Sequence, residues 1–165
     1  MHELLSPLVT ADVDLKDFPY TPIFRARLFG SSFHATATDA EWRAGVTLWL
    51  RSWDQVPAGS LPQDEVQLCR LAELGRDMKT WRKVRLIALH GWAAAPDGRL
   101  YHEVVAEGVN AAWQSKRAQR DRTAKAREAR LSQNQNPSVT DQKTRHKRSV
   151  VSKKTHPREG KRRER

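Results

Sequence analysis

Lys79, Arg82 and Lys83 lie within five residues of one another, spaced so that a helix gathers them on one side. Positive charges presented this way suit phosphate oxygens and the base edges of a major groove about 12 Å wide. Arg99 stands beside Pro96-Asp97-Gly98, where the tip of a hairpin would hold it against a groove or a backbone. Lys116, Arg117, Arg120 and Arg122 follow in a later basic run and are placed to grip flanking phosphates. Each of these groups is equally what an ordinary solvated surface carries, so the elements that position them must decide.

Side chains suited to catalysis are sparse. The sequence holds no GxxxxGK[ST], GxSxG, HExxH or CxxC motif. Asp64 with Glu65, and Asp12 with Asp14, are close in sequence but are not spaced to work as an acid–base pair. Cys69 falls among apolar residues and reads as a core thiol rather than a nucleophile. His90 and His102 can approach across a hairpin, but a catalytic zinc takes about three protein ligands and no third is at hand. The expectation is a non-enzymatic protein with no cofactor and no metal.

The stretch from Leu61 to His102 must position the cations. Pro62 suits a first helical residue, with Asp64 and Glu65 in the first turn and Gly75 in the left-handed position after the last. Asp77 is placed to cap the next helix. There Met78, Trp81, Val84 and Ala88 share one face, and Lys79, Arg82, Lys83 and His90 fall roughly opposite. Arg85 lies on the apolar side, which asks for snorkelling or a paired structural role. After Gly91, two short strands flank Pro96-Asp97-Gly98, where Pro presets φ and Gly supplies a positive one. Helix, turn, helix, hairpin is the order of a winged helix.

Upstream, Val13, Leu15 and Phe18 suggest an extended segment with Asp12, Asp14 and Lys16 outward. Thr21-Pro22 resembles a helix start and Gly30 its end, with Gly30 to Ala37 a loop. Thr38 and Glu41 have capping-box spacing, and Trp42, Val46, Trp49 and Trp53 follow at steps of four, three and four. These tryptophans, with Trp81, read as the core of a small domain rather than a base-stacking platform. Gln55 to Ser60 is a turn-rich connection. Beyond the hairpin, Glu103 to about Leu131 is compatible with a helix that docks through Val105, Val109 and Trp113 and then turns polar all round. From Ser132 the composition is too polar to repay ordering, and disorder is expected.

Charge follows the same division. The chain carries a net +11 over 165 residues. Residues 1–112 hold 12 basic and 14 acidic side chains, a net of −2, and residues 113–165 hold 18 and 5, a net of +13. A near-neutral head with a basic tail points to a polyanionic partner, and the tail lacks the apolar face a membrane-lying helix needs. A single cysteine excludes an internal disulfide. There is neither a signal-peptide pattern nor an apolar run near the ~18 residues of a membrane span, so a cytoplasmic location is expected.

The run VTLWLRSWDQVPAGSLPQDEVQLCRLA, followed by TWRKVRLIALHGW, DGRLYHEVV and AAWQSKR, resembles the YdaU-like family of phage and prophage proteins. The likeness spans roughly Val13 to Arg120, and PAGSLPQDE and DGRLYH are its most specific elements. Such proteins are similar to the N-terminal domains of phage replisome organisers, winged-helix DNA binders that act at replication origins. The resemblance implies DNA binding and contact with a replicative helicase or its loader, and transfers no catalytic residue. Many relatives continue into a further C-terminal region, where this sequence has a basic tail.

Together these readings predict a mainly α protein of the α+β class. An N-terminal segment (1–37) packs on a winged helix-turn-helix core with a small β-hairpin wing (38–113). A basic helical extension (114–131) and a disordered basic tail (132–165) follow. The expected partner is double-stranded DNA. A winged-helix adaptor for a helicase or loader, and a generic RNA-associated basic protein, are the alternatives.

Overall fold

A computed structural model describes residues 3–135 of the chain. It is a mixed α and β structure with a small three-stranded antiparallel sheet and a long final helix. Among the described residues, 3–119 form one compact unit and 120–135 belong to a second. In chain order the elements are α1 (Arg25–Phe29), α2 (Ser32–Thr36), α3 (Asp39–Ser52), β1 (Ser60–Pro62), α4 (Glu65–Leu71), α5 (Met78–Ala88), β2 (Trp92–Ala94), β3 (Arg99–His102) and α6 (Glu103–Gln135).

The capping box at the start of α3 forms as its spacing predicts. The Thr38 N–H donates to the Glu41 carboxylate at 2.8 Å and the Thr38 hydroxyl donates to it at 2.7 Å. These bonds hold the Glu41 carboxyl below its usual pKa, the backbone donor contributing most. The core-facing stripe of α3 differs from the predicted tryptophan stripe. Ala44, Gly45, Leu48 and Ser52 are buried, while of the predicted stripe Trp42, Val46 and Trp49 are half-buried and Trp53, just after the helix, is buried. Small residues face inward because α2 and α5 come close here. A methyl group on Gly45 would stand 2.6 Å from the Phe33 ring and 3.3 Å from the Ala88 carbonyl oxygen. The segment expected as a loop after Gly30 is in part α2, capped by the Ser31 hydroxyl, which accepts the His34 N–H at 3.1 Å.

The span expected as one helix from Pro62 to Leu74 is instead a strand followed by a shorter helix. Pro62 ends β1, an edge strand, where a missing N–H is tolerated. Asp64 is the cap of α4, accepting the Gln67 N–H at 2.8 Å. At the other end Glu73 takes the left-handed position directly after the helix, with φ 58°, and Gly75 two residues on is left-handed as expected, with φ 62°. Two bonds close that end, Glu73 N–H to the Arg70 carbonyl at 3.0 Å and Leu74 N–H to the Cys69 carbonyl at 3.1 Å, the pattern of a Schellman stop. Arg51 of α3 holds the Glu73 carboxylate through its Nε at 2.9 Å, so the residue that accepts the strained backbone also ties α4 to α3.

In the sheet β3 is central, with β1 and β2 on either side. Leu61 pairs with Leu100 and Ala93 with Tyr101. The predicted turn joins β2 and β3: the Gly98 N–H reaches the Ala95 carbonyl at 3.1 Å and Gly98 has φ 75°. Asp97 locks it, accepting the Arg99 N–H at 3.1 Å and the Tyr101 hydroxyl at 2.5 Å.

Two apolar clusters adjoin through Trp49. One joins α3, α4, α5 and the sheet around Leu48, Leu61, Cys69 and Trp81. The other joins Val9, Val13 and Leu15 to Trp53, Tyr101 and the first turns of α6. Val13 and Leu15 point inward and Asp12, Asp14 and Lys16 outward, as their alternation predicts. The Leu4 N–H donates to the Ala94 carbonyl of β2 at 2.8 Å, and the Ala58 N–H to the Val13 carbonyl at 2.9 Å.

Within the second unit, residues 120–135 continue as helix and every side chain from Arg120 to Ser132 is exposed. The helix runs a few residues past the predicted boundary at Ser132. The rest of the tail expected to be disordered lies outside the described residues.

Candidate nucleic-acid interface

The Asp77 carboxylate starts α5. It accepts the Thr80 N–H at 3.0 Å and the Thr80 hydroxyl at 2.6 Å. The hydroxyl bond is the main reason its pKa lies below the usual value. The inward face of α5 carries Trp81, Val84 and Ala88, all buried. The Trp81 indole N–H donates to one carboxylate oxygen of Glu65 on α4, and Arg85 pairs with the other. Arg85 thus has the paired structural role its position asks for. One glutamate fixes the angle between the two helices.

With that face locked, Lys79, Arg82 and Lys83 are all exposed on the other side. None of the three makes an ion pair among the described residues, although Lys79 acts on Asp77 through its charge. Leu86 continues the same stripe and is 81% exposed. Its offset of three from Lys83 and four from Arg82 places it there.

Of the other predicted cations, Arg99 and Lys116 in the first unit are engaged within the fold. Arg99 begins β3, half-buried, and its Nε donates to the Ser60 hydroxyl oxygen at 2.7 Å. It braces β1 against β3 rather than standing clear at the hairpin tip. Lys116 corrects the expectation more sharply. Its side chain is only 12% exposed. Its ammonium donates to the Asp14 carbonyl at 2.8 Å, pairs with Asp17 and lies 5.6 Å from the centre of the Trp113 ring. It pins the N-terminal segment instead of waiting for a phosphate. Arg117 is exposed and acts on Asp12 through its charge. Arg120 and Arg122 are exposed residues of the second unit.

Chemistry of other kinds is thinly represented. Cys69 is fully buried, and burial pushes its thiol pKa up. Among the described residues no group of three or more His, Cys, Asp or Glu could hold a metal ion, and no helix is long and apolar enough to cross a membrane. No family model, curated protein or solved structure matches the chain.

His102 has a measurable consequence. It is buried between Trp49 and Trp92, with ring centres 5.1 and 5.7 Å away. Gly91 leaves room for it, since a Cβ there would stand 2.5 Å from His102 Nε2. Its Nδ1 has no partner among the described residues. Burial, and secondarily the charge of His90, lowers its pKa from 6.5 to about 4. Below pH 6.5 the unfolded chain takes up a proton that the folded chain refuses until about pH 4. Stability is therefore expected to fall as pH drops through this window, by about 3 kcal/mol from this ring. Urea unfolding at pH 7 and pH 4 checks it: the loss should be smaller in His102→Gln by that amount, and an equal loss in both proteins defeats the assignment.

Proposed function

We propose that this chain is a non-enzymatic, cytoplasmic DNA-binding protein of winged-helix type, related to the YdaU-like proteins of phages and prophages and acting in the initiation of replication. The observation that carries the reading is the two-faced build of α5. One face is locked into the core by Trp81, Val84 and the Glu65 pairings, and the other offers Lys79, Arg82 and Lys83 without ion-pair partners among the described residues. A helix so braced can enter a major groove without paying to order itself.

The order of elements supports the winged-helix reading. α4 and α5 are the helix-turn-helix, β2 and β3 the wing, α3 the helix packed behind α5, and β1 the strand that extends the wing into a sheet. The net charge of +13 over residues 113–165 supports a phosphate-bearing target, since each phosphate neutralised by Lys or Arg releases counterions. A replicative helicase or its loader is the protein partner that the resemblance suggests.

Fluorescence anisotropy of a labelled duplex with the full chain, repeated over a series of salt concentrations, tests the proposal. Affinity should fall linearly with salt on logarithmic axes. A duplex that stays unbound at low salt sinks it. Binding to RNA with no binding to DNA selects the RNA-associated alternative.

A further inference from the structure

Leu86 is out of character with its surroundings. Among the described residues only Leu5 is a more exposed large apolar side chain. It also stands at the centre of the outer face of α5. At about 100° per residue it falls between Arg82 and Lys83, and about 20° from the line of Lys79. Val84 and Ala88, both buried, lie nearly opposite. A surface that meets the three cations therefore meets Leu86 between them. The residue also lines a cleft with Ile23, Phe24 and Leu50, and that cleft leaves it uncovered.

This combination narrows the partner. Lys79, Arg82 and Lys83 call for negative charge, and Leu86 calls for an apolar group among those charges. A uniformly acidic surface supplies only the first, and an uncharged apolar surface only the second. A major groove supplies both. Phosphates run along its edges, and the C5-methyl of thymine is the apolar group on its floor, where the other bases show donors and acceptors. Trp81 and Arg85 brace α5 on Glu65, so Leu86 is offered in a fixed place.

We infer that Leu86 is a specificity-determining residue that packs on thymine methyl groups in the major groove, between phosphates held by Lys79, Arg82 and Lys83. The inference rests on the reading of α5 as a DNA-binding helix. It adds base selection to that reading, since phosphate contacts alone carry no sequence information.

The probe is a labelled duplex of alternating adenine and thymine, compared with the same duplex carrying uracil for thymine, which lacks only the methyl group. In anisotropy titrations the full chain should bind the thymine duplex more tightly, roughly fourfold for each methyl group covered. Leu86→Ala should bind both duplexes alike, near the wild-type affinity for the uracil duplex. Its salt slope should be unchanged, because no charge is lost. The position is exposed and alanine is a good helix former; circular dichroism checks that the variant folds. A wild-type chain that binds both duplexes equally overturns the inference and leaves DNA binding standing. So does a thymine preference that survives Leu86→Ala, because duplex shape then makes the distinction. Equal binding, together with self-association on sedimentation that Leu86→Ala abolishes, hands the side chain to a second copy. A chain that binds neither duplex at low salt defeats the DNA reading itself, and the inference with it.

Discussion

Replacing Lys79, Arg82 and Lys83 together by glutamine is expected to lower duplex affinity on the order of a few hundredfold at ~0.1 M salt. Each phosphate neutralised contributes about 0.9 to the slope of log affinity against log salt, so losing three contacts removes about 2.7 of it. Between ~0.1 M and 1 M salt that slope amounts to nearly three decades, so wild type and variant should converge as salt rises. The substitutions sit on exposed positions outside the core, and the thermal midpoint should hardly move. Anisotropy titrations at three or more salt concentrations check this. An unchanged slope would mean that the basic residues from 113 onward do the binding and that α5 is only a solvated surface. Lys83→Glu alone should show a smaller loss in the same direction.

Trp81→Ala is expected to have the largest effect on stability, a loss of about 3–5 kcal/mol in denaturant unfolding. Trp81 is fully buried in the cluster that joins α3, α4 and α5, and truncation leaves a hole that those helices cannot close. It also removes the indole donor to Glu65, leaving the carboxylate that bridges α4 and α5 with Arg85 as its partner there. Trp81→Phe separates the two effects, because it keeps most of the volume and loses only the donor. A Trp81→Ala protein that unfolds within about 1 kcal/mol of wild type would show that this cluster is not the centre of the core.

What could be read from the sequence was local. The Thr38–Glu41 box, the Asp77 cap, the inward face of α5 and the Pro96–Gly98 turn each depend on residues a few positions apart, and each forms as expected. β1 was missed because three residues carry no period of their own and gain strand character only from pairing with residues 39 or so positions later. Pro62 was misread for the same reason, since a proline suits both a first helical turn and an edge strand. Lys116 looked like one more member of a basic run, and only the fold brings Asp14 and Asp17 to it across about a hundred residues. Arg99 was likewise claimed by Ser60, a partner on another strand. Leu86 is legible by offset alone, an apolar side chain on an otherwise charged face.

The first residues of the described chain carry a liability for anyone who shortens it. The outer side of β2 meets Leu4, and Glu3 bridges Ala94 in parallel. Without them a short strand of Trp92, Ala93 and Ala94 would present bare amide and carbonyl groups, a template on which another molecule can add a strand. A protein begun at Thr38 would also forfeit Val9, Val13 and Leu15 from its interior. Such a fragment should clump through sheet-to-sheet addition, so a failed truncation would report an uncapped edge rather than a missing function.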